Sequence, residues 1–277
     1  MKASMIHMAF AVTVAGAVVP SAFAQANAAP TRQAEASQKL TRMHEGLSSP
    51  VGMAYDASGN LYVANWSAGT VLRFSADGKR SVFAEGLRGP SGLAISSAGD
   101  IYVASYSEAL VWRFTPGGDR SVFIRGLATP AGLSFDARGR LLIANRRTNQ
   151  ILAAHPDGDL DVAAEGLQTP VGAIELPNGD LLVSNIAGGI SLVSGSPRAR
   201  PINSDLGSPG PGIVRAGTDS AYVVDYGGTT VSRVDRNGRR TVIADGLSSP
   251  VGLALAPDGS LTVATWGANA AFRIALP

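Results

Sequence analysis

Short apolar runs separated by polar turn residues follow one another along most of the chain, and this pattern repeats every 40 residues. In the first unit the apolar runs are VGMAYD, NLYVANW, TVLRFS and RSVFAEG, which are rich in Val, Leu, Phe and Tyr. The segments between them contain Gly, Asn and Asp, which accept turn conformations. The spacing by three and four that is typical of helices does not occur. Each unit is therefore predicted to form four short antiparallel strands, the content of one propeller blade.

Six such units follow one another without an insertion. The same position in each unit is a glycine: Gly52, Gly92, Gly132, Gly172, Gly212 and Gly252. The last unit ends at Pro277 after three strands, whereas residues 39–46 resemble the fourth strand of the other units. We expect this N-terminal strand to complete the last blade. The sequence thus predicts an all-β, six-bladed β-propeller over residues 38–277, with its ring closed by strands from both termini.

The first 24 residues have a different character. Lys2 is their only fixed charge, residues 8–19 are mostly apolar, and Ala22-Phe23-Ala24 provides a small-x-small cleavage site. This pattern predicts a secretory signal peptide that is cleaved near Ala24 and is too short for a membrane span. Residues 25–37 are expected to form a flexible mature N-terminus. The predicted location is periplasmic or secreted.

Charge and cysteine content exclude some partners and constraints. Removing Lys2 leaves 22 of the 23 basic residues against 21 acidic residues, and the basic residues are spread around the repeats. No basic patch typical of nucleic-acid binding results, so we expect no nucleic-acid partner. The chain has no cysteine, so no disulfide can hold the ring closed.

The unit from Pro50 to Asn65, PVGMAYDASGNLYVAN, resembles the NHL repeat and the units of the six-bladed regucalcin/gluconolactonase-like propellers. The resemblance covers residues 38–277 and implies the propeller fold. Gluconolactonase-like members bind one divalent metal in the central channel and open lactones, with Asn and Asp ligands before the blade glycine and an early Glu. Here Ser48 and Ser49 stand where that Glu is expected. The six residues before the glycines are Val51, Ser91, Ala131, Val171, Pro211 and Val251.

Metal and catalytic chemistry therefore find little support in the sequence. Hard cations need several oxygen ligands, and the positions before the glycines offer almost none, so no cofactor is predicted. The chain has no G-x-S-x-G elbow, P-loop or H-E-x-x-H motif. Of the histidines beyond the signal peptide, His44 lies near the end of the closing strand and His155 beside a turn. We interpret both as structural or surface residues, and we predict no catalytic residue.

Positions that differ between the units identify candidate binding residues, because the blade itself does not require them. The residue after the second strand is the most informative: Trp66, Tyr106, Arg146, Ile186, Tyr226 and Trp266. The four aromatic residues come from blades 5, 6, 1 and 2, which are consecutive in a closed ring. We predict a ligand-binding face formed by Trp66, Tyr106, Arg146, Tyr226, Trp266 and Asn65. Such a wall suits a small molecule, a glycan, or a peptide or protein.

A packing interpretation of the same residues stays open. Aromatic side chains also cover seams between blades. The third strands carry arginine in the same four blades: Arg73, Arg113, Arg233 and Arg273. These arginines either belong to the groove or pack their stems beneath the aromatic rings.

Three functions from different classes follow. The first is an exported binding module that uses the aromatic face. The second is a gluconolactonase-like hydrolase or lyase with a rearranged site, in which Asn145, Asn185 and Asp225 from three neighbouring blades would be the oxygen cluster for a divalent metal. The third is a structural adaptor in an envelope complex. The apolar residues before the glycines favour the first and third over an enzyme.

Overall fold

The computed structural model describes residues 40–276, which form a ring of six four-stranded antiparallel sheets. The predicted all-β, six-bladed propeller is confirmed. The predicted signal peptide (1–24) and mature N-terminus (25–37) lie outside the described residues. Among residues 40–276, no helix is long and apolar enough to cross a membrane.

Blades 1 to 3 each contain four strands that are consecutive in the chain. Blade 1 consists of β2 (Pro50–Tyr55), β3 (Leu61–Asn65), β4 (Thr70–Phe74) and β5 (Arg80–Ala84). Blade 2 consists of β6 (Pro90–Ile95), β7 (Ile101–Ser105), β8 (Leu110–Phe114) and β9 (Arg120–Arg125). Blade 3 consists of β10 (Pro130–Phe135), β11 (Leu141–Asn145), β12 (Gln150–Ala154) and β13 (Leu160–Ala164), with a 3-10 turn (Arg146–Thr148) after β11.

Blades 4 and 5 follow the same order, and blade 6 takes its outer strand from the N-terminal end. Blade 4 consists of β14 (Pro170–Glu175), β15 (Leu181–Asn185), β16 (Gly189–Val193) and β17 (Arg200–Asn203). Blade 5 consists of β18 (Pro209–Arg215), β19 (Ser220–Asp225), β20 (Val231–Asp235) and β21 (Arg240–Ala244). Blade 6 consists of β22 (Pro250–Leu255), β23 (Leu261–Thr265), β24 (Ala270–Ile274) and β1 (Leu40–His44).

The hydrophobic core lies between neighbouring blades. The second strand of a blade is covered on both faces, so all five residues of β3 are buried, as are all five of β7. This explains why these strands are nearly continuous apolar runs instead of alternating ones. One core layer, for example, joins Tyr62 and Val71 of blade 1 to Val103 and Phe114 of blade 2. Each blade therefore depends on its neighbour to bury its apolar surface.

The recurrent glycines lie where the six inner strands approach one another most closely. A Cβ atom on Gly92 would lie less than 3.0 Å from the carbonyl oxygen of Ala131 in the next blade, and the other five glycines have the equivalent contact. Residues with a side chain cannot occupy such a position without displacing the backbone. The glycines therefore set the spacing of the blades around the channel.

The ring closes as the sequence predicts. Strand β1 is antiparallel to β24, with Leu40 opposite Ile274. At the other end of β1, the imidazole of His44 stacks on Phe74 of blade 1 with ring centroids 3.9 Å apart. His44 is therefore a packing residue at the junction of blades 6 and 1, and its burial lowers its pKa.

Candidate functional site

A cavity of about 350 Å³ opens at the face of the ring where the links between blades run. Its wall takes from each blade the residue after the second strand: Trp66, Tyr106, Arg146, Ile186, Tyr226 and Trp266. Its floor takes from each blade the residue before the inner glycine: Val51, Ser91, Ala131, Val171, Pro211 and Val251. Five of the six predicted binding residues thus line one cavity. The floor was missed as part of the site, although its apolar character is visible in the repeats.

Backbone hydrogen bonds fix the wall residues above the links. The amide of Trp66 donates to the carbonyl of Ser49 (3.1 Å), and the amide of Trp266 donates to that of Ser249 (3.0 Å). Blades 2, 3 and 4 repeat this bond. Ser49 and Ser249 adopt left-handed conformations, with φ of 49° and 50°. The repeated turn therefore places one side chain at the cavity mouth in five blades, and in blade 5 the bond shifts by one residue, from the amide of Gly227 to the carbonyl of Ser208 (3.2 Å).

The predicted aromatic arc consists of two edge-to-face pairs. Trp66 and Tyr106 have ring centroids 5.0 Å apart at an interplanar angle of 60°, and Tyr226 and Trp266 have centroids 5.4 Å apart at 79°. Each pair joins neighbouring blades, and this geometry is favourable for aromatic rings. Tyr226 is the most open of the four, with 36% of its surface exposed. The four aromatic side chains therefore present apolar surface to the cavity from one side of the propeller.

The two tryptophans also cover seams between blades. The indole N–H of Trp266 donates to the carbonyl of Pro50 in blade 1 (2.9 Å), across the point of ring closure. The ring of Trp66 lies against Gly89, the link residue that enters blade 2, where a Cβ atom would be 3.4 Å from the ring. The packing and binding interpretations are thus compatible for these residues.

Arg146 is the only charged side chain that lines the cavity in residues 40–276. It begins the 3-10 turn Arg146–Thr148 and is partly buried. Its Nη1 donates a hydrogen bond to the hydroxyl of Tyr106 in the neighbouring blade (3.3 Å). The guanidinium is thereby held at the rim beside one aromatic pair.

Asn65 has a different environment, because its side chain points into a link between blades. The same is true of Asn145, Asn185 and Asp225, the three candidate metal ligands. Asn65 accepts a hydrogen bond from the amide of Ser48 (2.8 Å), and Asn145 and Asn185 accept the equivalent bonds from their own links. Asp225 accepts from the amides of Gly207 and Ser208 (3.1 and 2.9 Å). All four side chains are buried, and none of them lines the cavity. Their recurrence at one position in the repeats is the sequence signal of this link-holding role.

These residues do not fit a divalent metal. Three amide or carboxylate groups that accept backbone N–H bonds in separate links have no oxygens directed at a common point. On the floor, the hydroxyl of Ser91 donates to the carbonyl of Pro130 (2.9 Å), and the five other residues are apolar. Among residues 40–276, no group of three or more His, Asp or Glu side chains could hold a metal ion.

The third-strand arginines are not part of the aromatic site, and the expectation that they line the groove or support its rings is wrong. The Nε of Arg113 donates to Asp100 (2.9 Å), and Arg273 pairs with Asp258. Both aspartates belong to turns between the first and second strands, at the opposite end of the blade from Trp66. Arg73 and Arg113 stand opposite Tyr62 and Tyr102, next to the start of the second strand.

A second cavity of about 360 Å³ occupies the opposite end of the channel and shares Val51 and Pro211 with the first. Its mouth carries Tyr55, Glu175 and Arg215. The carboxylate of Glu175 accepts a hydrogen bond from the amide of Ala137 (2.6 Å), and the hydroxyl of Tyr55 is bonded to that of Thr262 (2.8 Å). These contacts hold turns and strands together and leave Arg215 exposed.

Neither His44 nor His155 lines the aromatic cavity or the cavity at the opposite end of the channel. The Nε2 of His155 is 2.8 Å from Asp161, and this hydrogen bond, with Arg140 nearby, lowers the pKa of Asp161. Residues 155–159 form the hairpin turn between β12 and β13, in which the amide of Gly158 donates to the carbonyl of His155 (3.0 Å). Both histidines therefore have structural roles.

Comparisons with known proteins identify the fold. No protein-family model and no curated protein matches the sequence. Among solved structures, a gluconolactonase from Xanthomonas campestris is 18% identical, with a TM-score of 0.75 over 87% of this chain and 90% of that one. A catalytically inactive histidine variant of virginiamycin B lyase from Staphylococcus aureus, solved with quinupristin, is 19% identical, with a TM-score of 0.67 over 85% of this chain and 84% of that one.

A putative oxidoreductase (glucose dehydrogenase) from Thermus is also similar, at 18% identity and a TM-score of 0.71 over 86% of this chain and all of that one. The resemblance to six-bladed regucalcin/gluconolactonase-like propellers is thus confirmed at the level of the fold. Propellers host many unrelated activities, so the fold does not decide between a binding module and an enzyme.

Proposed function

We propose that the protein is an exported binding module that holds a small ligand in the aromatic cavity. One observation carries this proposal: two aromatic pairs from four blades and a floor with apolar residues from five of the six blades enclose a single recess of about 350 Å³. Concave, mostly apolar recesses with a few polar groups are the usual form of small-molecule sites. The export half of the proposal rests on the signal peptide predicted for residues 1–24.

The shape of the recess favours a small molecule over a glycan or a protein partner. Its floor lies below a rim of side chains, whereas protein partners need a broad surface of about 800 Å² on each side. Glycans need many hydrogen-bonding groups, and the wall offers chiefly ring surfaces and Ile186. A molecule of roughly 15–25 non-hydrogen atoms fits the range of such recesses.

The proposal predicts that the neutral dye N-phenyl-1-naphthylamine binds at this cavity. Trp66 and Trp266 line it, so energy transfer from tryptophan to the bound dye reports on occupancy. We expect Tyr226→Ala to weaken dye binding about tenfold, because it removes one ring of the wall. Titration by fluorescence gives the dissociation constant.

Tyr55→Ala is the matched control, since it removes the same side chain from the cavity at the opposite channel mouth. We expect it to leave dye affinity within about twofold of wild type. Equal affinities of wild type and Tyr226→Ala would overturn the proposal, as would equal losses in both variants. Trp266→Ala is less suitable, because its hydrogen bond to Pro50 also closes the ring.

The second candidate is a hydrolase or lyase of the gluconolactonase-like group. The observation in its favour is the similarity in fold to proteins named as gluconolactonase and as virginiamycin B lyase. It needs a reactive centre other than the three residues that accept the link amides, and the described histidines do not line the cavity. Turnover of gluconolactone that disappears in Arg146→Met or Tyr226→Ala would favour this candidate over a pure binding module.

A further inference from the structure

We propose that the ligand of the aromatic cavity is a small carboxylate with a flat apolar body, and that Arg146 binds its carboxylate; this inference rests on the proposed function.

Charge distribution at the cavity mouth is the first argument. In residues 40–276 the guanidinium of Arg146 is the only ionised group among the lining side chains. Its side-chain partner is the neutral hydroxyl of Tyr106, and no carboxylate of the described residues lies within ion-pair distance. Apolar walls do not stabilise the charge of a partly buried cation. An anion bound next to it is therefore stabilised by electrostatic attraction.

The surface outside Arg146 extends the same charge. A shallow depression adjoins the cavity and shares Tyr106 and Arg146 with it. Its other described lining residues are Thr129, Arg147, Asn149 and Thr169, so it adds a second cation and no acid. An anionic group of a bound ligand could therefore lie in this polar depression while the rest of the ligand lies in the apolar cavity.

The carboxylates on the loops that carry the wall residues are already engaged. Asp225 accepts two link amides. Glu108 accepts hydrogen bonds from the hydroxyl of Ser105 (2.7 Å) and the indole of Trp112 (3.1 Å), and it is not among the residues that line the cavity. Burial alone would raise the pKa of Glu108, but these two bonds hold it below its usual value. Glu108 therefore remains ionised where it is and does not replace an anion at Arg146.

The geometry selects a carboxylate with a planar body. Guanidinium groups bind carboxylates through two parallel N–H···O bonds, and such charge-assisted bonds are stronger in a partly desolvated site. The edge-to-face pair of Trp66 and Tyr106 stands beside Arg146 and offers ring surface to a flat apolar group. A ligand with both features contacts the wall and the cation at once.

Competition between two probes of nearly equal shape tests the inference. Bound N-phenyl-1-naphthylamine is displaced either by 2-naphthoate or by the uncharged 2-naphthamide. We expect wild-type protein to bind 2-naphthoate about tenfold more tightly than 2-naphthamide. Arg146→Met keeps approximately the length of the side chain without its charge and should abolish this preference, which is a ratio of two affinities measured in the same variant. Arg215→Met, at the opposite channel mouth, is the matched control and should retain the preference.

The outcomes separate the two proposals. Failure of the dye to bind at the cavity overturns the proposed function itself. Normal dye binding with equal displacement by 2-naphthoate and 2-naphthamide overturns the carboxylate inference and leaves the binding module intact. A preference that persists in Arg146→Met, or disappears in Arg215→Met, also overturns it, because the anion would then bind elsewhere.

Discussion

In blades 1 to 5, the last residue of the second strand and the residue after it have different roles. In blade 1, Asn65 points into the protein and holds the link through Ser48, whereas the next residue, Trp66, faces the cavity. Successive side chains of an extended segment point to opposite faces, so one short motif provides both a structural pin and a wall residue. In blade 2 the equivalent residue is Ser105, whose hydroxyl donates to the carbonyl of Arg88 in the link (2.8 Å).

Asp180 is expected to make the stability of the protein depend on pH. It is buried in blade 4, and Arg236 of blade 5 donates to its Oδ2 (2.6 Å). Burial alone would raise the pKa of Asp180, but hydrogen bonds from Ser194, Asn178 and Arg236 hold it below its usual value. Because the folded-state pKa is lowered, ionised Asp180 stabilises the protein above its unfolded pKa of about 3.9, and this contribution is lost as pH falls through the folded pKa.

We therefore expect Asp180→Asn to lower the Tm by about 2–4 °C at pH 7, which corresponds to about 1 kcal/mol for a half-exposed arginine partner. The difference from wild type should shrink as the pH falls below about 4. Thermal melts between pH 3 and pH 7 measure it, with Asp119→Asn on an exposed turn as the control. A difference that is constant over this range would assign the effect to packing.

At the scale of the strand, β1 is the element on which the ring depends. Its residues pair with β24, and Leu40 packs against the core layer between blades 5 and 6. No disulfide is available to replace this closure, since the chain has no cysteine. Removal of β1 exposes the edge of β24, and exposed edges pair with other chains.

Deletion of residues 40–44 should therefore produce a protein that aggregates on gel filtration. A synthetic peptide of residues 38–46 added during refolding should restore the elution volume of the intact protein, because it supplies the missing strand in trans. A scrambled peptide of the same composition is the control. Normal elution of the deletion protein without peptide would show that β1 is dispensable for closure.

The molecule as a whole is a ring in which six equivalent inner positions converge on one axis. The residues before the inner glycines form a largely apolar floor at this axis, because five of the six are apolar and one is a serine. The same six positions would form a polar centre if they carried carboxylates and amides. The chemistry of the channel is thus set by a position that the blade itself does not constrain.

A melt with metals tests this conclusion. We expect no rise in Tm with millimolar calcium, magnesium, manganese or zinc relative to chelator, because the candidate oxygens hold the links. A metal at 100 times its dissociation constant adds about 2.7 kcal/mol, which for this size is a rise of roughly 5–10 °C. A rise of that size, lost in Asp225→Ala, would contradict the expectation and favour the enzyme candidate.

The architecture and the wall residues of the cavity could be predicted from the amino-acid sequence. A period of 40 residues with four apolar runs specifies six blades, and the surplus strand at the start specifies how the ring closes. A repeat places equivalent residues at equivalent points around one axis. This allowed five wall residues to be predicted: Trp66, Tyr106, Arg146, Tyr226 and Trp266. Residues at the same position of each repeat can therefore be expected to lie at the same height around the axis of the propeller.

The directions of the side chains and their contacts between blades are visible only in the folded ring. Asn65 and Asp225 end the same strands as the wall residues but turn into the links, and Arg113 and Arg273 pair with turn carboxylates at the far end of their blades. The floor became part of the site because glycine allows the inner strands to approach closely. These contacts join residues of different strands and blades, so their geometry is set by ring closure and packing, which a linear pattern does not encode.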